Sequence, residues 1–293
     1  MTTTPFLFFS GGVPLAGRMH RNPAAGLDRQ PAVLVTGSWL TVKEQMPDRY
    51  AAELARRGWT ALTFDFAGFG ESGGEPRQLE SPTRKMADLA AAVAYARSLS
   101  LVAAGPPALL AVCAGAQYGL AAAAAGLELA AFCSVAGWFH DLPTAAPLYG
   151  GVEGITSRLE RADAALEHYR RDGSVLTVPA YDPDDERAGM PMPLSYYADP
   201  ARGAVPAWSN AMAEMSWRPW LTFDGLAGAS AAVPAHFVHG DGAVLPDNVR
   251  TIAARMDAGT TWLDGEQVDF YDRPELVDPA VEAADAHFRT VLG

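Results

Sequence analysis

Apolar residues along the chain recur in two rhythms, and their order predicts an alternation of strands and helices. Phe6 to Phe9, the Gly11-Gly12 pair and Leu15 to Met19 predict a β-hairpin closed by a glycine turn. Pro31 to Thr36 is a short apolar run of the kind buried on both faces of a sheet, and it stops at Gly37-Ser38-Trp39. A helical period runs from about Pro47 to Arg57 and ends at Gly58, the residue that suits a helix C-terminus. A strand over Trp59 to Phe66 leads into a glycine-rich loop. A helix over Ser81 to Leu99 follows, with Ser81 as N-cap and Pro82 in its first turn.

The same rhythm continues with a strand over Leu109 to Val112, a helix over Gly115 to Ala125 and a strand over Leu129 to Ala136. Such alternation predicts an α/β protein with a mainly parallel sheet covered on both faces. From Gly137 to about Ala232 the rhythm breaks. That stretch holds one helical segment, Ser157 to Arg171, and loops rich in Pro, Tyr and Trp. Ala235 to Val238 restores a strand, followed by a helix over Asp247 to Met256, a short strand over Thr261 to Leu263 and a helix over Pro279 to Leu292. The organisation expected is a core of residues 1–137 and 233–293, with residues 138–232 inserted as a cap.

Composition narrows the partners. Forty-nine per cent of the 293 residues are hydrophobic, enough for a full core, and the net charge of −12 opposes binding to phosphate backbones. The two cysteines, Cys113 and Cys133, form no disulfide framework and suggest a reducing compartment. The N-terminus lacks the pattern of a signal peptide, and the alanine runs are too short to span a bilayer. A cytoplasmic protein acting on a small molecule is expected, with no nucleic acid and no membrane; a homodimer is left open.

Two glycine-bearing motifs compete for the chemistry. Gly68-Phe-Gly70-Glu-Ser-Gly73 matches a dinucleotide fingerprint, but no helix opens before Ser81, so a surface loop is the better reading. Leu110-Ala-Val-Cys113-Ala-Gly-Ala116 instead joins a buried strand directly to a helix. It has the form of a nucleophile elbow, with Cys113 at the position of the nucleophile. A helix N-terminus lowers a thiol's pKa, so an activated thiolate is expected at Cys113. Cys133 lies mid-strand and reads as core.

On this elbow, the opening hairpin, Lys43-Glu-Gln45, Asp65 through Gly73 and Asp269-Phe-Tyr-Asp272, the chain resembles an α/β-hydrolase of the dienelactone-hydrolase-like branch. The resemblance covers nearly the whole chain and implies the α/β-hydrolase fold: an eight-stranded sheet, a Cys nucleophile and an acid–histidine pair on later loops. An oxyanion hole needs two converging N–H groups. Ala114 would supply one, and Ser38 or Trp39 the other. The family's acid position falls on Ala243, leaving Asp241 as the nearest carboxylate, and its histidine position falls on Gln267. Glutamine takes no proton at neutral pH. Among the six histidines, His140 beside Asp141 is the candidate for a relocated base, since some relatives carry their acid there.

A cysteine without a base acylates but releases acyl groups to water slowly. Two functions follow: an esterase, thioesterase or lactonase using Cys113, or a non-hydrolytic cyclase, lyase or acyltransferase. A ligand-binding protein without catalysis is the third. Glu44, Trp138, Tyr197, Trp208, Met212 and Trp217 are the expected lining of an apolar pocket, and no metal or other cofactor is expected.

Overall fold

Strands buried on both faces have no room for charged side chains, and the middle of the sheet carries none. The computed structural model describes residues 1–292. The strands are β1 (Thr2–Ser10), β2 (Val13–Arg21), β3 (Ala32–Thr36), β4 (Thr60–Phe64), β5 (Ala108–Val112), β6 (Phe132–Val135), β7 (Thr177–Pro179), β8 (Ala211–Ala213), β9 (Ala235–His239) and β10 (Gly259–Trp262). Eight of them form one sheet in the order β1-β2-β4-β3-β5-β6-β9-β10, while β7 and β8 pair separately. β2 runs antiparallel to β1 and β4, and every other pairing in the large sheet is parallel. This is the eight-stranded, mostly parallel sheet that the resemblance implied. The β1–β2 turn uses Gly11 and Gly12, both at positive φ (54° and 86°), which glycine adopts without steric cost.

The α-helices are α1 (Met46–Arg56), α2 (Pro82–Ser98), α3 (Ala114–Ala124), α4 (Leu142–Ala145), α5 (Gly151–Asp172), α6 (Ser195–Ala198), α7 (Trp217–Leu221), α8 (Pro246–Arg255), α9 (Asp269–Asp272) and α10 (Pro274–Leu292). Two begin earlier than the sequence suggests. α5 starts at Gly151 rather than Ser157, and α10 runs through Pro279 rather than starting there. Proline forfeits one backbone hydrogen bond near a helix start, and the face formed by Leu276, Val277, Ala280, Val281, Ala284 and Phe288 buries enough apolar surface to outweigh it. None of the described helices is long and apolar enough to cross a membrane.

Residues 138–232 do not carry a core of their own beyond a small cluster around Ala165, Ala213 and Met215. Tyr197, Trp208, Met212, Trp217 and Trp220 join the same continuous core as Val33, Leu110 and Val135. Trp39, just past β3, stacks on Trp220 with ring centroids 4.5 Å apart. Residues 138–232 thereby pack against the loop after β3, at the carboxyl ends of the parallel strands, the edge where open α/β sheets bind ligands.

Candidate active site

β5 delivers Cys113 into a sharp turn at the start of α3. Its backbone has φ 54° and ψ −127°, a region that costs a non-glycine residue about 1–3 kcal/mol. Neighbouring strands hold the turn: the Cys113 N–H donates to Val135 O (3.0 Å), and Cys113 O accepts from the Trp138 N–H (2.9 Å). The Gly115 N–H donates to Gly37 O (3.1 Å), joining the elbow to the loop after β3. A Cβ at position 115 would lie 2.5 Å from that same oxygen, so only glycine fits. The small residue expected at 115 therefore has its reason in backbone contact.

Cys113 faces a cavity of about 270 Å³ at the junction of sheet and insertion. Ser38, Trp39, Trp138, Tyr149, Met190, Tyr197, Gln267 and Tyr271 all reach its wall. The Ser38 hydroxyl donates to the Cys113 sulfur at 3.1 Å. Tyr271, Gln267 and the Ala114 N–H also approach the sulfur and favour its thiolate, yet complete burial outweighs them and pushes the thiol's pKa up. The lowering expected from the helix N-terminus is thus corrected: burial holds the Cys113 thiol above its ordinary range.

The loop that would complete an oxyanion hole is fixed from several sides. Leu40 has φ 58° and gives its N–H to Glu80 Oε2 (2.8 Å). Leu40 O accepts from Trp208 Nε1 (2.7 Å), and Thr41 Oγ1 donates to Ser38 O (2.7 Å). Among the described residues neither the Trp39 nor the Ala114 N–H donates to a backbone carbonyl. Glu80 itself is buried, bound to Lys85 (2.7 Å) and to the Tyr118 hydroxyl (2.7 Å). The Lys85 ammonium lies over the rings of Phe66 and Phe69, 4.8 Å from each centroid.

Gln267, expected at the family's histidine position, is fully engaged. Its Nε2 donates to Ala136 O (2.9 Å) and to the Tyr271 hydroxyl (3.1 Å), and its Oε1 accepts from the Val244 N–H (3.0 Å). A carbonyl and an N–H on opposite sides leave one amide orientation possible. Tyr271 sits four residues further on and turns its hydroxyl toward the Cys113 sulfur; burial raises its pKa well above the usual phenol value. The buried Tyr197 hydroxyl lies near Ser38 and Tyr271 but has no hydrogen-bond partner.

Several expected site residues stand elsewhere. His140 is fully buried behind Trp138: its Nδ1 accepts from Trp138 Nε1 (2.8 Å), which leaves Nε2–H to donate to Trp220 O (2.9 Å). Both ring nitrogens are engaged, and burial lowers its pKa to about 4, so it offers Cys113 no base. Asp241 is exposed and ion-paired to Arg250. It is not part of the cavity wall, whereas Ala243, expected at the family's acid position, is. Glu44 binds Arg18 (2.7 Å) and Lys43 (2.9 Å) in an ion-pair network rather than lining the cavity. Trp208, Met212 and Trp217 are buried behind the wall, whereas Trp138 and Tyr197 form part of it.

Sequence reasoning passed over Tyr271, Tyr149 and the Met190–Pro193 loop. Tyr271 was within reach of it, because four residues after Gln267 places both on one side of a helical turn. Tyr149 and the methionines carried no such signal.

The sequence profile of the Alpha/beta hydrolase family matches residues 32–285. The uncharacterized protein PA2218 of Pseudomonas aeruginosa is 40% identical over 84 residues, 29% of this chain and 23% of that protein. A crystal structure of PA2218 superposes with a TM-score of 0.84 at 24% identity, covering 98% of this chain and 94% of that one. YcjY of Escherichia coli, also uncharacterized, is 26% identical over 86% of this chain and 85% of its own length. The polyketide transferase claH of Penicillium crustosum is 35% identical over 91 residues, 31% of this chain and 30% of that protein. The fold also occurs in a Pyrococcus furiosus esterase (TM-score 0.63, 14% identity, 100% and 91% covered) and in the thioesterase domain from the curacin pathway (0.58, 16%, 100% of both).

Proposed function

The chain belongs to the Alpha/beta hydrolase family, and on that premise we propose that it transfers acyl groups through Cys113 without a histidine base. The substrate is a thioester, ester or lactone of a compact, mainly apolar molecule that fits the cavity beside Cys113, and the acceptor is a nucleophile better than water. The observation that carries this reading is Gln267, locked by three hydrogen bonds where a base belongs.

In the first half-reaction the Cys113 sulfur bonds to the acyl carbon as the bond to the leaving thiol or alcohol breaks. The proton lost by Cys113 ends on that leaving group, so no external base is consumed. Ser38 donates a hydrogen bond to the sulfur and the Tyr271 hydroxyl lies near it, which lowers the cost of the charge the sulfur carries on the way. The N–H groups of Ala114 and of Ser38 or Trp39 receive the developing oxyanion. Water attacking the acyl-enzyme finds no proton acceptor, and a positioned base is typically worth about 10²–10⁴ in rate. The acyl group therefore survives until a stronger nucleophile arrives.

A second reading uses the same pocket for enolate chemistry, in a cyclase or lyase. It is favoured by two high-pKa tyrosine hydroxyls, Tyr197 and Tyr271, which stay protonated and donate to a developing enolate. The claH transferase name fits an acyl-transfer chemistry and lends the first reading weight.

Intact mass spectrometry after mixing with activated esters and thioesters, wild type beside Cys113→Ala, separates the two. Acyl transfer requires an adduct on wild type alone, persisting for minutes in water and collapsing on addition of an amine or thiol. Absence of an adduct on the folded wild type sinks the covalent mechanism and leaves the enolate reading.

A further inference from the structure

A second depression adjoins the Cys113 cavity and shares Leu148 and Tyr149 with it. It encloses about 420 Å³ along the start of α5. Its polar wall holds three arginines, Arg158, Arg161 and Arg187, with Ser157 and one carboxylate, Glu186. Arg161 and Arg187 both bind one buried carboxylate, Glu214, at 3.0 and 2.9 Å. Arg158 has no carboxylate partner among the described residues: Nη1 donates to Tyr149 O (2.9 Å) and Gly154 O (3.1 Å), and no acceptor meets its other nitrogens. Its guanidinium packs over the rings of Tyr149 and Trp217, at 5.2 and 5.0 Å.

This concentration of cation runs against the charge of the whole chain, which is −12. A half-buried guanidinium that repels a neighbouring Arg161 and has no anion of its own is electrostatically unfinished. An arginine against two ring faces is also held in place, which cuts the entropy lost when it binds. Gly150, Gly154 and Ser157 at the start of α5 line the same depression.

We propose that this groove holds an anionic group of the substrate, a phosphate or carboxylate, through Arg158, while the reacting carbonyl lies at Cys113. The inference rests on the reading of the Cys113 cavity as the reacting site. The anion has two sources, and their geometries differ: a phosphate on the leaving thiol's arm, or a carboxylate at the far end of the acyl chain.

Three probes distinguish them. Butyryl-coenzyme A carries phosphates on the thiol side, the N-acetylcysteamine thioester of glutaric acid carries a carboxylate on the acyl side, and butyryl-N-acetylcysteamine carries neither. The expected result is that one anionic probe exceeds the neutral one in kcat/KM, and that Arg158→Met reduces this ratio at least tenfold. Arg158→Lys should restore part of it, and a thermal melt verifies that both variants fold. The same three probes are titrated calorimetrically into Cys113→Ala and into Cys113→Ala/Arg158→Met. Arg158-dependent binding of an anionic probe there, with no acylation of the wild type, supports the groove and overturns the cysteine mechanism alone. If neither anionic probe outperforms the neutral one in turnover or in binding, or if the preference survives Arg158→Met, the inference is wrong.

Discussion

Gln267, at the position where the resemblance implies a histidine, holds three neighbours: Ala136 O, the Tyr271 hydroxyl and the Val244 N–H. Two substitutions bear on what this does to the chemistry. Gln267→His alone supplies a base without a carboxylate to orient it, because Ala243 stands on the cavity wall where the resemblance implies the acid. Gln267→His with Ala243→Asp should hasten hydrolysis of the acyl-enzyme by about 10² or more, the lower end of what a positioned base contributes. The decay of the adduct mass with time measures it directly; an unchanged decay would mean that something other than the missing base protects the acyl group. The departure at position 267 was legible in the sequence, because a side chain's protonation range is intrinsic to it. That His140 is no substitute was not. Its neutrality comes from Trp138 Nε1 and Trp220 O, the latter 80 residues away in the chain.

At the scale of elements, the loop between β3 and α1 depends on a buried ion pair that no local pattern announces. Glu80 receives the Leu40 N–H and the Lys85 ammonium, and Tyr118 from α3 donates to its other oxygen. Lys85→Met should cost about 3–5 kcal/mol in urea unfolding, since it leaves Glu80 buried and uncompensated. Glu80→Gln/Lys85→Met should recover most of that loss, because no charge then remains in the core. A Lys85→Met protein as stable as wild type would show that the pair does not hold the loop. The strands themselves were readable because a strand buried on both faces carries no charge and few polar groups: β5 is wholly apolar, and β3, β4 and β6 add only threonine or serine. Glycine and proline misled at α5 and α10; at α10 the burial of Leu276 and Val277 carried the helix start against local propensity.

Across the whole molecule, buried neutral groups set the response to pH. Burial lowers the pKa of His140 and of His239 to about 4, while an unfolded histidine titrates near 6.5. Between those values the unfolded chain binds more protons, so stability falls as pH drops from 6.5 to 4, by ~3 kcal/mol for each group. On the alkaline side Tyr197, Tyr271 and Tyr118 have pKa values raised well above the phenol's ordinary 10.0. The unfolded chain then loses protons first, and stability falls as pH climbs past that value. Thermal melts from pH 4 to 11 should trace a plateau between roughly pH 7 and 9 with losses on both sides. His140→Gln should shrink the acid-side loss; an acid limb of equal depth in that variant would remove His140 from the account.

Period and order in the sequence determined the alternation of strand and helix, hence a mostly parallel sheet with a sharp turn after β5 and a long irregular stretch before β9. These follow from local rules: what a strand buried on both faces must contain, where glycine permits a sharp turn, which side chains accept protons. Tertiary structure alone decided the state of the site. Burial held the Cys113 thiol above its ordinary range despite its helix N-terminus, enclosed His140 between Trp138 and Trp220, and paired Asp241 with Arg250 outside the cavity. It also brought Tyr271 to the sulfur and Arg158 to a groove beside the cavity. Desolvation and long-range hydrogen bonds produce those outcomes, and both depend on residues far apart in the chain.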